Sequence, residues 1–344
     1  MKAHVLFADN LHFHERNFGS LMRVIKKYNI AHQFNQDHRE WMALYGNYSD
    51  QSSALNLYYQ LIKNKKKQDL YEFKYRDLPL YDLVQAELMA YLLPQKELYK
   101  VDLPKEDKAL FLYLFEHHHL DLCLNLSAAI FWIEFWYKKI IQPKRKFTHA
   151  FVFSGSNIYC KTLMKLCQFS STRCIVAESS FTGNEYYLEE RFSHIANNSD
   201  IKLTALQTYY SQQILEIGSE KVRHKAMNKL VMSNNKNVKH PESNSQQIFF
   251  RDDTKKEVLI IGQVLNDYSL IETPNLPRSS VLWYQALLME LIEKTDSNII
   301  FKAHPWEEKK SALSERHYSD GVNALGKRKF DDRATKPFGF NQRF

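Results

Sequence analysis

Residues 150–179, AFVFSGSNIYCKTLMKLCQFSSTRCIVAES, decide the fold. Ala150 to Phe153 is an apolar run without polar alternation, as expected of a strand covered on both faces. Ser154-Gly155-Ser156-Asn157 is a cluster of turn residues. From Ile158 to Gln168 apolar residues return at three- and four-residue steps, which predicts a helix, and Cys174 to Ala177 is a second strand-like run. Strand, turn, helix and strand in this order make a βαβ unit, the building block of a parallel sheet. Ligands of open parallel sheets bind in the crevice beyond the carboxyl ends of the strands. Ser154, Ser156 and Asn157 fall at one such end, and Glu178 falls at the next. Ser154, Ser156 and Asn157 are candidates to bind substrate hydroxyls, although Ser156 or Asn157 equally suits a helix cap.

Toward the N-terminus, His4 to Ala8 (HVLFA) reads as another strand, Asp9 to Ser20 as a polar loop, and Leu21 to Tyr28 as a helix. Asp9 and His12 are expected to line a substrate-binding loop. His12 and His14 share one face of an extended segment, but no third ligand has metal-site spacing, so no metal is expected. Between about 50 and 142 the apolar spacing is helical throughout (Leu55, Tyr58, Tyr59, Ile62; Leu110, Leu114), which predicts a helical insertion in a first domain spanning 1–232. Its most apolar helix, Leu120 to Ile141, is interrupted by Asp121, Asn125, Glu134 and two lysines and is too polar to span a bilayer.

Toward the C-terminus, residues 233–255 are rich in Asn and Ser and read as a linker. Glu257 to Ile261 (EVLII) reads as a buried strand opening a second α/β domain at 256–310. Gly262-Gln263-Val264 is its turn, Val281 to Lys294 a helix, and Asn298 to Lys302 the next strand, followed by Ala303-His304-Pro305. A turn with Gly262 and Gln263 can aim backbone N–H groups at a phosphate, and Lys302 and His304 can add charge and a donor. Asp267 and Ser269 are candidates for hydroxyl binding. Residues 311–344 contain no strand-like run and read as an irregular tail, so the second domain reads as incomplete against the roughly 100–150 residues usual for a domain.

The composition limits the alternatives. With 44% hydrophobic and 25% charged residues, the chain matches folded globular proteins, and 344 residues allow two domains. Only 9 Gly against 20 Tyr and 22 Phe favour bulky helical packing over a compact all-β domain. A net charge of +8 suits phosphate-bearing small molecules or anionic lipid; charge is the sole signal for nucleic acid, which is not an expected partner. Four cysteines without a CxxC pair read as buried thiols of a reducing compartment. MKAHVLFADN lacks the features of a signal peptide, so a cytoplasmic location is expected.

Three segments, GQVLNDYSL (262–270), NIIFKAHPWEEK (298–309) and ESSFTGNEYYLEE (178–190), resemble the capsule polysaccharide biosynthesis family, which includes Kdo transferases. The resemblance implies a GT-B-like α/β fold of two Rossmann-like domains, the first with the helical insertion on the acceptor side and the second binding nucleotide sugar. It implies transfer of an acidic, Kdo-like sugar from a CMP-sugar to a glycan or glycolipid acceptor. The donor is a co-substrate, and no further cofactor is implied. His304 would hold the donor phosphate, with Lys302, Pro305, Gly262 and Gln263 around it. Glu178 would be the catalytic carboxylate, with Glu185 as its runner-up, because glycosyl transfer needs a base or a nucleophile. Peripheral contact with the inner membrane or with polysaccharide assembly proteins belongs to the same expectation. The family continues after its HP motif with further βα units, which residues 311–344 do not match. The alternative is therefore a non-catalytic partner, or an inactive truncated remnant, in an assembly or export complex.

Overall fold

The computed structural model describes residues 2–302 and 304, apart from 96, 99, 145, 181–184, 196–197, 201–202, 204, 206, 210, 213–218, 233–253 and 274–276. The linker at 233–253, Pro305 and the tail at 311–344 thus lie outside the described residues. The chain divides into two compact units, one drawn from residues 1–88 and 111–239 and the other from 89–110 and 240–344. Residues 89–110, expected within the helical insertion, fall instead in the second unit.

In the first unit, β1 (His4–Phe7), α1 (Glu15–Lys27) and β2 (Ala31–Phe34) come first. Next are α2 (Ser52–Ile62), α3 (Lys67–Tyr71), the hairpin β3 (Lys74–Tyr75) with β4 (Leu78–Pro79), α4 (Leu80–Leu92, whose residues from 89 belong to the second unit), α5 (Asp107–His117, whose residues to 110 belong to the second unit) and α6 (His119–Trp136). Then follow β5 (His149–Phe153), α7 (Ile158–Cys167), β6 (Arg173–Ser179), β7 (Tyr186–Glu190) and α8 (Ser219–Met232). The five-stranded sheet has the order β2-β1-β5-β6-β7. It is parallel except for β7, which pairs antiparallel with β6. From β1 the chain moves to β2 on one side, and from β5 it moves to β6 on the other. The strand order therefore reverses between β1 and β5, where the connections to the neighbouring strands open a crevice.

Phe7, Phe13, Phe18, Leu21 and Ile25 form the core beneath α1 together with Phe151 and Ala177. Helix α1 therefore starts earlier than Leu21: Glu15 and Arg16 face outward, and the chain kinks at Phe18 (φ −129°, ψ 40°), whose ring is buried in this core. Helix α6 is buried on nearly every side, with Trp132 and Trp136 fully enclosed and the Trp136 indole donating to the Tyr159 carbonyl at 2.8 Å. Its all-round apolar character is that of a core helix. Among the described residues no helix is long and apolar enough to cross a membrane. All four cysteines are buried free thiols. Two strands escape the hydrophobic pattern. The edge strand β2 is largely exposed, and β7 (YYLEE) is likewise mostly exposed or half-buried.

In the second unit, β8 (Glu257–Ile261) pairs in parallel with β9 (Asn298–Lys302), with α9 (Tyr268–Ile271) and α10 (Ser280–Lys294) between them. Ile260, Val281, Tyr284 and Leu288 form its core on one face of the strand pair. Arg278 ties in the early segment, donating to the Lys105 carbonyl at 2.7 Å and to Asp107 at 2.8 Å. Strand β8 is not buried on both faces as its composition suggested. Leu259 is 57% and Ile261 68% exposed, and Ile300 beside Leu259 on β9 is 42% exposed.

Candidate functional site

The switch point between β1 and β5 gathers several residues that carry chemistry. Asp9 follows β1 and is 0% exposed. Its carboxylate accepts from the Leu11 and His12 backbone N–H groups at 2.9 and 2.8 Å, from His12 Nδ1 at 3.1 Å and from the Tyr159 hydroxyl at 3.1 Å. Burial by itself raises its pKa, but the bonds and charge from His12 outweigh burial and, with Tyr159, hold it below the ordinary value. Asp9 thus has no surface for a ligand. It orients His12, fixing Nδ1 as the bonded nitrogen and leaving Nε2 to face other groups. The His12 ring lies flat on Phe153, with centroids 4.2 Å apart and planes 5° from parallel. Its side chain is 28% exposed.

A second buried carboxylate supports the same corner. Glu87, on α4, accepts from Gly46 N at 2.9 Å, the Tyr48 hydroxyl at 3.0 Å and Ile158 N at 2.5 Å. The last bond caps α7, so the cap arrives from 71 residues away in sequence and not from Asn157, which makes no side-chain cap. Burial raises the Glu87 pKa, opposed by bonds from Ile158, Tyr48 and Gly46.

Backbone strain concentrates here as well. Asn29 follows the C-terminus of α1, and Arg76 and Asp77 form the tip of the β3–β4 hairpin, so their positive φ angles have ordinary causes. Tyr45 (φ 48°) and Gly46 (φ 88°) are the central pair of a turn closed by Asn47 N to the Leu44 carbonyl at 3.0 Å, which leaves His38 and Ser154, with φ of 54° and 55°. His38 follows β2, Ser154 ends β5, and Tyr45 is close enough to Glu87 and Asp9 for their charges, after burial, to raise its phenol pKa. Ser154 is held by its N–H to the Ala177 carbonyl at 2.8 Å and by Ile195 N to its own carbonyl at 2.9 Å. Non-glycine residues kept in such conformations by their surroundings cluster at functional sites.

The remaining first-unit candidates are spread along the same sheet edge. Ser156 is buried. Glu178 is half-buried at the end of β6, opposite Tyr187 on β7, and accepts from Ser179 N at 3.2 Å. Glu185 is exposed just before β7, and its carbonyl accepts from Ser180 N. His12 and His14 do not converge: His14 Nε2 meets the Asn17 amide at 3.3 Å. Among the described residues no group of three or more His, Cys, Asp or Glu is arranged to hold a metal ion.

In the second unit the Gly262-Gln263 turn differs from expectation. Gly262 N donates to the Lys302 carbonyl at 2.7 Å, and Gln263 N donates to the Tyr284 hydroxyl at 3.1 Å. Both N–H groups are therefore engaged inside the fold and are not aimed at a phosphate, because Tyr284 reaches up from α10 beneath the turn. Asp267, a candidate for hydroxyl binding, instead caps α9, accepting from Ser269 N at 2.8 Å and Ser269 Oγ at 2.6 Å. Lys302 is exposed at the end of β9, with His304 half-buried two residues on.

Sequence reasoning had singled out Asp9 and His12 but missed Glu87, Tyr45 and Tyr159. A signal existed for Glu87: it is one of only two carboxylates inside the apolar run LVQAELMAYLL and its flanks. Nothing marked Tyr45 or Tyr159 among so many tyrosines. No family model, curated protein or solved structure matches the chain.

Proposed function

We propose that the chain is a glycosyltransferase of the capsule polysaccharide type, transferring an acidic, Kdo-like sugar from a CMP-sugar to a glycan or glycolipid acceptor at the inner face of the membrane. One observation carries the reading: the GQ turn and the K-x-H strand end, forty residues apart in sequence, are bonded neighbours through Gly262 N and the Lys302 carbonyl. With the turn's N–H groups engaged, Lys302 and His304 supply the donor-phosphate contacts, and imidazole N–H donation stabilises charge on the departing CMP. In the first unit, His12 and Glu178 are the groups at strand ends suited to take the proton of an acceptor hydroxyl. His12 is the better prepared of the two, because buried Asp9 sets its tautomer. The co-substrate is the only small molecule this chemistry requires.

The test is calorimetric titration of the full chain with CMP, repeated with His304→Ala. Binding that weakens at least tenfold in the variant supports the reading; a folded chain that does not bind CMP overturns it. A second reading, a non-catalytic partner in an assembly complex, draws on the exposed Leu259, Ile261 and Ile300, an apolar strand face suited to a protein neighbour. It predicts a stable complex with assembly proteins and no CMP binding.

A further inference from the structure

Helix α6 presents Phe131, Glu134 and Phe135 at i, i+3 and i+4 on one face, and Lys138 follows in the turn just beyond its C-terminus. With His38, Tyr58 and Lys139 they line an open cavity of about 310 Å³. That volume sits at the lower end of the roughly 300–1,000 Å³ usual for ligand pockets, which suits one sugar residue. The cavity lies next to the segment that follows β2, and so on the ligand-bearing edge of the sheet.

Three features make it a built site. The first is its aromatic wall. His38, held in the left-handed region, turns its ring edge-on to Phe131 at 4.8 Å and to Phe135 at 5.6 Å, and Trp41 backs Phe131 at 4.3 Å. The second is charge. Glu134 pairs with Arg76 at 2.6 Å and accepts from the Tyr75 hydroxyl at 2.9 Å, while Asp37 pairs with Lys139 at 2.7 Å. Arg76, Lys138 and Lys139 outnumber these two carboxylates, and each carboxylate already has its own cation. The balance at the mouth is therefore positive, and Lys138 is exposed there. The third is the backbone: Tyr137–Ile141, carrying both lysines, is a π-helical turn, a local widening frequent at functional sites.

We propose that this cavity binds a carboxylate-bearing sugar ring. The apolar C–H face of a pyranose packs on Phe131 and Phe135, its hydroxyls meet Tyr58, His38 and Glu134, and its carboxylate meets Lys138. On the transferase reading, which this assignment of role rests on, the occupant is an acidic residue of the acceptor glycan. The binding itself requires no donor.

The experiment is saturation-transfer NMR on the full chain with methyl glucuronide as probe and methyl glucoside as its neutral counterpart. The expected result is binding of the glucuronide with Kd on the order of 1 mM, at least tenfold weaker binding of the glucoside, and at least tenfold weakening of the glucuronide by Lys138→Glu. Phe135→Leu, which keeps a hydrophobic side chain in the wall, is expected to remove the transfer signal to the ring protons. No glucuronide signal, equal binding of both sugars, or binding untouched by both variants overturns the site. Glucuronide binding in a chain that fails to bind CMP leaves the pocket standing and removes the transferase reading; CMP binding without glucuronide binding does the reverse.

Discussion

Asp9 is the residue on which the switch-point site turns. Replacing it with Asn removes a buried charge that four donors serve, and the expected loss at neutral pH is about 2 kcal/mol, read from urea denaturation. The folded state holds the Asp9 pKa below its ordinary 3.8, so its contribution is present above that value and fades as pH falls through the lower folded value. The stability gap between wild type and Asp9→Asn should therefore narrow as pH falls below about 4. A gap that widens in acid would contradict the assignment. Glu87 has the opposite sign, because burial raises its folded pKa: the protonated form is favoured in the fold, and that contribution is lost as pH rises through the folded value. Glu87→Ala strands the Gly46, Ile158 and Tyr48 donors and should cost about 3 kcal/mol, measured as a lowered urea midpoint with unchanged slope. Asp9 and His12 were legible because a polar cluster after a first strand marks the sheet's ligand-bearing edge. That Asp9 is fully buried and bonded to His12 was not legible, since burial depends on the packed fold.

At the scale of elements, the βαβ core was legible because strand, turn and helix each carry a different apolar period, and β5, α7 and β6 appear within one or two residues of their expected bounds. β2 and β7 were not, because edge strands with exposed, polar side chains carry no such period. β8 shows the converse: EVLII reads as doubly buried, yet only one face of the strand pair is covered. Ile261→Thr should therefore change stability by less than about 0.5 kcal/mol, while Ile260→Thr, next to it on the packed face, should cost about 2 kcal/mol. Similar losses at both positions in thermal melts would show that the exposed face is covered. The turn after β5 is equally exacting. Gly155 has φ of 87°, and a Cβ there would lie 2.9 Å from Met164 Cε and 3.0 Å from the His194 backbone. Gly155→Ala should destabilise by roughly 2 kcal/mol, measurable by chemical denaturation.

At the scale of the molecule, each of the two α/β units carries polar candidate residues at or just beyond the ends of its parallel strands. In the first these are His12, Ser154 and Glu178; in the second, Lys302 and His304. The assignment of 89–110 to the second unit was not legible, because it depends on long-range partners such as Arg278 with Asp107. The most direct measurement is sugar transfer itself: incubation of the purified chain with CMP-Kdo and an acidic glycan acceptor, followed by mass spectrometry of the acceptor. The expected product is an acceptor heavier by one sugar residue, reduced at least tenfold by His12→Gln and by His304→Ala. An unmodified acceptor from a folded chain, or product formation indifferent to both substitutions, would contradict the transferase reading.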